Sequence, residues 1–121
     1  IGWEKDRATA PSLDAALASG GTFVTEDAAA VNDPRIEVVV ESTGNPAAGI
    51  RHALAAIAAK QHVVMVNVEA DVLAGPALAA RAAKAGVVVS MAYGDQPALV
   101  CEMVDTIRAM GLPVVAAGKG T

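Results

Sequence analysis

Three polar side chains follow an apolar run near the middle of the chain. Asn67, Glu69 and Asp71 fall within five residues, directly after the run "VVMV". Two carboxylates there could act as general acid and base, bind a substrate's hydroxyl groups or hold a divalent cation. A solvated loop or interface salt bridges are the structural alternatives. The obvious helix start downstream is Gly75–Pro76, which needs neither carboxylate as a cap, so the pattern favours a site.

A second polar segment, residues 41–45 with the sequence "ESTGN", follows the apolar run "IEVVV". It is either a plain turn or a ligand contact, because a glycine after a strand lets the backbone approach a ligand closely. Asn45 before Pro46 also has the pattern of a helix N-cap, with proline at the first helical position.

Short Val-rich runs and Ala-rich stretches alternate from Ile36 onward. The runs begin about 25 residues apart and are rich in β-branched residues, as buried parallel strands are. This alternation predicts βαβ units and a Rossmann-like α/β fold, a parallel sheet with flanking helices that forms part of a doubly wound domain. The predicted strands are Ile36–Val40, His62–Val66, Val87–Met91 and Pro113–Ala116, and the predicted helices are Ala47–Lys60, Pro76–Ala85 and Pro97–Met110.

The first 35 residues are less regular. They predict a short helix at Leu13–Ala18, an extended piece "TFVT" and a second short helix within "TEDAAAVND" that Thr25 would cap.

The carboxyl ends of parallel strands share one edge of a sheet, where ligands of open α/β sheets bind. Polar residues follow each predicted strand, so we expect them to converge there beside helix N-termini suited to anions. The segments are 41–45, 67–71, 93–96 and 118–119. Asp95 is also a candidate helix cap, whereas His52 and His62 are interpreted as structural.

Composition excludes several classes. The net charge is −4, without a cluster of Lys or Arg, which argues against a nucleic-acid surface. The longest apolar run, at 53–59, is far shorter than the roughly 18–20 residues of a membrane span. The single cysteine, Cys101, cannot form an internal disulfide, which favours a cytoplasmic setting, and it is interpreted as a small core residue. No spacing of His, Cys and carboxylates indicates a zinc site.

The stretch from Glu37 to Pro76 resembles the second half of the nucleotide-binding domain of homoserine dehydrogenase-like oxidoreductases. The similarity is greatest to the branch with a C-terminal SAF domain, which includes a reductoisomerase-like enzyme. An N-x-E-x-D-x-x-x-G-P pattern carries it, together with a G-D-Q-P turn at 94–97 and an "AG" pair at 117–118. The first pattern comprises Asn67, Glu69, Asp71, Gly75 and Pro76.

The resemblance implies an NAD- or NADP-dependent oxidoreductase acting on a small polar or phosphorylated substrate. It places one segment against the nicotinamide half of the cofactor: Ser42, Thr43, Gly44, Asn45 and Pro46. It places Asn67 and Val68 on the nicotinamide-ribose and substrate side, where Glu69 and Asp71 are the candidate catalytic pair. Homoserine dehydrogenases have a lysine where this chain has Val68. The Glu69/Asp71 pair is the expected replacement.

Residues 1–121 are thus expected to be part of a Rossmann-like domain from a longer chain. No G-x-G-x-x-G occurs, and "AAGKGT" lacks the first glycine and the Ser or Thr of a phosphate loop. By itself the chain is therefore expected to bind dinucleotide poorly. We also expect a homo-oligomer, because an apolar sheet edge would be exposed. The alternative function is a non-catalytic Rossmann-like module for ligand sensing or oligomerisation.

Overall fold

The structure is a computed structural model that describes residues 7–94 and 96–118. The chain divides between Asp33 and Pro34 into two compact units. In the first unit, helix α1 spans Leu13–Ser19 and a 3-10 helix spans Ala28–Asn32. The 3-10 helix is capped by Asp27 and not by the predicted Thr25, which instead accepts the amide of Asp27 through Oγ1 at 3.1 Å.

The second unit contains a parallel three-stranded sheet in the order β1-β2-β3. Its strands and helices are β1 Val38–Glu41, α2 Pro46–Ala58, β2 His62–Met65, α3 Val68–Ala85, β3 Val89–Met91 and α4 Gln96–Ala109. Val39 is in register with Val63, and Val63 with Val89. The predicted α/β class, a partial Rossmann-like fold, is confirmed.

The core lies between the sheet and the two helices that join its strands. α2 and α3 pack against each other and against one face of the sheet, where Val63, Met65 and Leu78 are almost fully buried. Small residues such as Ala53 and Ala56 are completely buried and let the backbones approach closely.

The Val-rich runs predicted strands that are buried on both faces, and this prediction is wrong. Burial alternates along β1, with Val39 and Glu41 buried and Val38 and Val40 exposed. The reason is that α2 and α3 cover the same face. A hydrophobic run alone does not distinguish a strand buried on one face from a strand buried on both.

The fourth predicted strand, Pro113–Ala116, is wrong: residues 112–118 have no regular secondary structure. Strand formation needs a partner ladder, and Val115 is 96% exposed. Cys101 on α4 is exposed, so the prediction that it is a core residue is also wrong. Asp95, the predicted cap of α4, and Lys119 lie outside the described residues.

The start of α3 is the main correction to the predicted elements. The helix begins at Val68 and contains Pro76 in its interior, whereas the sequence predicted a start at Pro76. An interior proline costs a helix about 3 kcal/mol. The N-cap Asn67 and the burial of Ala70 and Leu78 offset that cost. Glu69 and Asp71 therefore lie in the first turn of a helix and not in a loop.

Candidate functional site

The carboxyl edge of the sheet brings two helix N-termini together. The side chain of Asn45 caps α2 by accepting the amide of Ala48 at 2.9 Å, as predicted. The side chain of Asn67 caps α3 in the same way, accepting the amide of Ala70 at 3.2 Å. Each helix begins a few residues after its strand ends, and the positive ends of both helix dipoles lie at one edge.

A side-chain hydrogen bond links these two caps. The Nδ2 group of Asn67 donates to the backbone carbonyl of Asn45 at 2.9 Å. Asn67 is only 2% exposed, and both ends of its amide are engaged. Its orientation is therefore fixed, and it holds the 41–46 segment against the start of α3. This edge segment comprises Glu41, Ser42, Thr43, Gly44, Asn45 and Pro46.

A buried carboxylate lies beneath the edge segment. Glu41 is the last residue of β1 and is 2% exposed. Its Oε1 accepts a short hydrogen bond of 2.6 Å from the hydroxyl of Thr43 and a longer one of 3.3 Å from the amide of the same residue. The imidazole Nδ1 of His52, on α2, lies 3.3 Å from the same oxygen.

The hydrogen-bond donors around Glu41 determine the ionisation state of its carboxyl group. Burial by itself would raise the pKa of Glu41, but hydrogen bonds from Thr43 and His52 and the nearby amide of Asn67 outweigh it. The net result is a pKa below the ordinary value, so the carboxylate is ionised at neutral pH. Its second oxygen, Oε2, is buried and makes no hydrogen bond to a described residue.

Gly49 makes room for this arrangement. A Cβ atom at Gly49 would lie 2.6 Å from Nδ2 of Asn67, 2.9 Å from Oε2 of Glu41 and 3.0 Å from Cβ of Ala70. Only a residue without a side chain lets α2 pass this close to both polar groups. The three residues form one packed unit, which we call the edge clamp: Glu41, Gly49 and Asn67.

The structure brings the two predicted site segments together but gives their members different surroundings. Ser42, Thr43, Gly44 and Asn45 are exposed at the edge, and Pro46 is the half-buried first residue of α2. Gly44 has a positive φ of 69°, and nothing would lie within 4 Å of a Cβ there. The backbone at Gly44 is therefore open to a ligand.

On the α3 side, Glu69 is exposed, and Val68 and Asp71 are half-buried. Both carboxylates lie in the first turn of α3, where acidic side chains stabilise a helix by about 0.3–1 kcal/mol through its dipole. This gives the pair a structural role that the sequence did not reveal. Their predicted catalytic role stays a prediction.

Sequence reasoning placed Glu41 in the 41–45 segment without giving it a role of its own, and it missed His52 and Gly49 as members of the site. The only signal was a charged residue ending an apolar strand; a helical histidine and a glycine eight residues after that strand carry no pattern of their own. His62 has the structural role predicted for it, since its Nδ1 accepts the amide of Val88 at 3.0 Å.

Two classes of feature are not found in the described part of the chain. In residues 7–94 and 96–118, no group of three or more His, Cys, Asp or Glu side chains is placed to hold a metal ion. None of the helices in the same ranges has the length and apolar character that crossing a bilayer requires.

Part of the chain matches a known protein family. Residues 94–121 match the family described as "Oxidoreductase DRL, catalytic domain". The match covers less than a quarter of the chain and lies outside the edge clamp. It supports an oxidoreductase as the general class and is consistent with a nicotinamide cofactor. No curated protein matches the chain.

Proposed function

We propose that the chain supplies the nicotinamide side of the cofactor site in an NAD- or NADP-dependent oxidoreductase. One observation carries the proposal: the edge clamp joins the two segments that the sequence analysis assigned to this site, through the bond from Asn67 to the carbonyl of Asn45. The oxidoreductase family match at residues 94–121 supports the same class independently.

The residues of the edge segment fit a dinucleotide. Ser42 and Thr43 expose hydroxyl groups, and Gly44 leaves open space above its backbone. The N-terminus of α2 adjoins them and favours negative charge. When bound, the cofactor would supply the hydride chemistry, and the protein would supply binding and orientation.

In this proposal both ends of the side-chain amide of Asn67 position the surrounding backbone and do not contact the ligand. The side chain is too deeply buried to touch a ligand, so it holds Asn45 and the start of α3 at a fixed spacing. Val68, the first residue of α3, would face the nicotinamide-ribose side. A fixed edge of this kind reduces the freedom that binding would otherwise have to restrict.

Glu69 and Asp71 are proposed as the acid and base on the substrate side. They replace the lysine that homoserine dehydrogenases place at Val68, and the substrate is a small polar or phosphorylated molecule, as in the reductoisomerase-like branch. Their positions in the first turn of α3 put them two and four residues beyond the cap at Asn67. A positioned acid or base contributes roughly 100- to 10,000-fold to a rate.

The test is a calorimetric titration of the full-length protein with NADH and NADPH. The proposal expects a micromolar dissociation constant for one of them, and weaker binding when Gly44 is replaced by Val. Valine at this position both fills the open space and disfavours the positive φ. The matched control is Gly86→Val at the C-cap of α3, which also has a positive φ of 75° but lies at the other end of the helix. Equal weakening by both variants, or no binding by the parent protein, would contradict the proposal.

A further inference from the structure

The hydroxyl of Thr43 has a fixed hydrogen-bonding direction. Its single proton is committed to Oε1 of Glu41, at a distance of 2.6 Å that is typical of a hydroxyl donating to a carboxylate. A carboxylate has no proton to return, so this oxygen of Glu41 can only accept. Thr43 is the donor in the pair and cannot donate to anything else.

The remaining capacity of the Thr43 oxygen is as an acceptor. Its other contacts are long: the amide of Asn45 at 3.4 Å and Nδ2 of Asn67 at 3.5 Å. Both exceed the usual 2.7–3.2 Å of a good N–H···O bond. Thr43 is an exposed residue, so a ligand can approach it, and a donor at a shorter distance would replace one of these two long contacts.

Glu41 is held in place from three sides. The hydroxyl and amide of Thr43 and the imidazole of His52 all converge on Oε1. Gly49 leaves the space that Oε2 occupies. The carboxylate is buried, so it cannot reach a ligand itself, and it acts on one only through Thr43.

We propose that Glu41 is a positioning residue that makes the hydroxyl of Thr43 an obligate hydrogen-bond acceptor at the carboxyl edge of the sheet, so that Thr43 selects a neutral donor, the carboxamide NH₂ of a nicotinamide, over an anion. This inference rests on the proposed function for the identity of the ligand. Its chemistry rests on the Glu41–Thr43 pair alone. A phosphate or carboxylate oxygen at the same place would receive no hydrogen bond from Thr43, because the hydroxyl proton is already donated to Glu41.

The first measurement needs no ligand. Carbon NMR of the labelled Glu41 carboxyl group, followed against pH, compares the parent with Thr43→Val and Thr43→Ser. Valine removes the donor that lowers the pKa of Glu41, so the pKa should rise, whereas serine keeps the donor and should restore the parent value. His52, the other titratable group against Glu41, is present in all three proteins. An unchanged pKa in Thr43→Val would show that the hydroxyl does not donate to Glu41 and would overturn the inference.

The second measurement uses two dinucleotides on the full-length protein: the natural one and its analogue with an acetyl group in place of the carboxamide. The acetyl group can only accept. Thr43→Val should weaken the natural dinucleotide by about tenfold, the loss of one good hydrogen bond. It should leave the acetyl analogue unchanged, and Thr43→Ser should bind both as the parent does.

The results of the binding experiment distinguish the role assigned to Thr43 from the proposed function. Equal weakening of both dinucleotides overturns the assignment of Thr43 as the acceptor of a donor, while the proposed function stands. If the parent binds neither dinucleotide, the proposed function fails and the carboxamide is overturned as the ligand. The NMR result still decides whether Glu41 fixes the hydrogen-bonding direction of Thr43.

Discussion

The side-chain amide of Asn67 caps α3 and is hydrogen-bonded to Asn45, the cap of the preceding helix α2. Its Oδ1 accepts the amide of Ala70 at the start of α3, and its Nδ2 donates to the carbonyl of Asn45 at the start of α2. One buried side chain thus sets the spacing of the two helix N-termini at the carboxyl edge of the sheet.

Asn67→Asp tests this double role. Aspartate is as good a cap as asparagine, but it loses the Nδ2 donor and sets a carboxylate oxygen against the carbonyl of Asn45 and near the carboxylate of Glu41. We expect a loss of roughly 2–4 kcal/mol in the free energy of unfolding, measured by urea denaturation. Asn45→Asp is the matched control, because Asn45 is an exposed cap, and it should change stability by less than about 0.5 kcal/mol. Similar losses in both variants would contradict the role assigned to Nδ2.

Gly49→Ala should reverse the usual effect of this substitution. Glycine to alanine in a helix normally stabilises by about 0.5–1 kcal/mol. At Gly49 the new methyl would meet buried groups at 2.6–3.0 Å, and Cβ of Ala70 among them cannot rotate away. We expect a loss of about 1–3 kcal/mol in thermal or urea unfolding.

Gly75→Ala on α3 is the comparison for that variant. The three atoms nearest to its methyl would all belong to the half-buried side chain of Asp71, and a side-chain carboxylate can move aside at less cost than the Cβ of Ala70. Gly75→Ala should therefore be neutral or stabilising. A stabilised Gly49→Ala protein would show that the edge clamp is looser than described.

The lowered pKa of Glu41 predicts a dependence of stability on acid. In the unfolded chain Glu41 returns to its ordinary pKa, so in acid the unfolded state binds more protons than the folded state and stability rises with pH. The contribution of Glu41 is complete above its unfolded pKa and is lost as the pH falls through the lower, folded value. Glu41→Gln should lower stability at pH 7 and flatten the acid limb of the stability curve. An acid limb identical to that of the parent would contradict the assignment.

Glu69→Gln and Asp71→Asn separate catalysis from helix stability. In the full-length protein each should reduce turnover by about tenfold or more, as the loss of a positioned acid or base does. Through the helix dipole each should lower stability by at most about 1 kcal/mol. Glu102→Gln, on the exposed surface of α4, controls for the loss of a carboxylate elsewhere. Full turnover in both variants would contradict the catalytic role and leave Glu69 and Asp71 only their favourable interaction with the dipole of α3.

The sequence predicted the elements whose signals are local and strong. The Val-rich runs at 38–41, 62–65 and 89–91 are strands, and Asn45–Pro46 begins α2 as its cap and proline predict. The start of α3 was missed because Gly75–Pro76 is a stronger local signal than Asn67. Asn67 prevails because the residues after it, Ala70 and Leu78, become buried against the sheet.

The edge clamp could not be predicted because it depends on contacts between distant parts of the chain. Gly49 appears in the sequence as an ordinary helix glycine; its function follows from the approach of Glu41 and Asn67, eight and eighteen residues away. The run "PVVAA" at 113–117 has strand composition, yet it forms no regular secondary structure and pairs with none of the three described strands. Tertiary packing decides both cases, and composition does not record it.

The most direct test of the central claim is hydrogen–deuterium exchange of the edge segment in the full-length protein. Exchange at the backbone amides of residues 42–45 is measured without ligand, with NADH or NADPH, and with the matching ADP-ribose. This ADP-ribose carries a 2′-phosphate when the dinucleotide is NADPH, so that it lacks only the nicotinamide ring. The amides of Thr43 and Asn45 are bonded to side chains within the segment, so their exchange reports on its order. We predict slower exchange with one of the dinucleotides and a clearly smaller effect with ADP-ribose. Unchanged exchange with both dinucleotides, under conditions where they bind, would show that this edge does not face the nicotinamide.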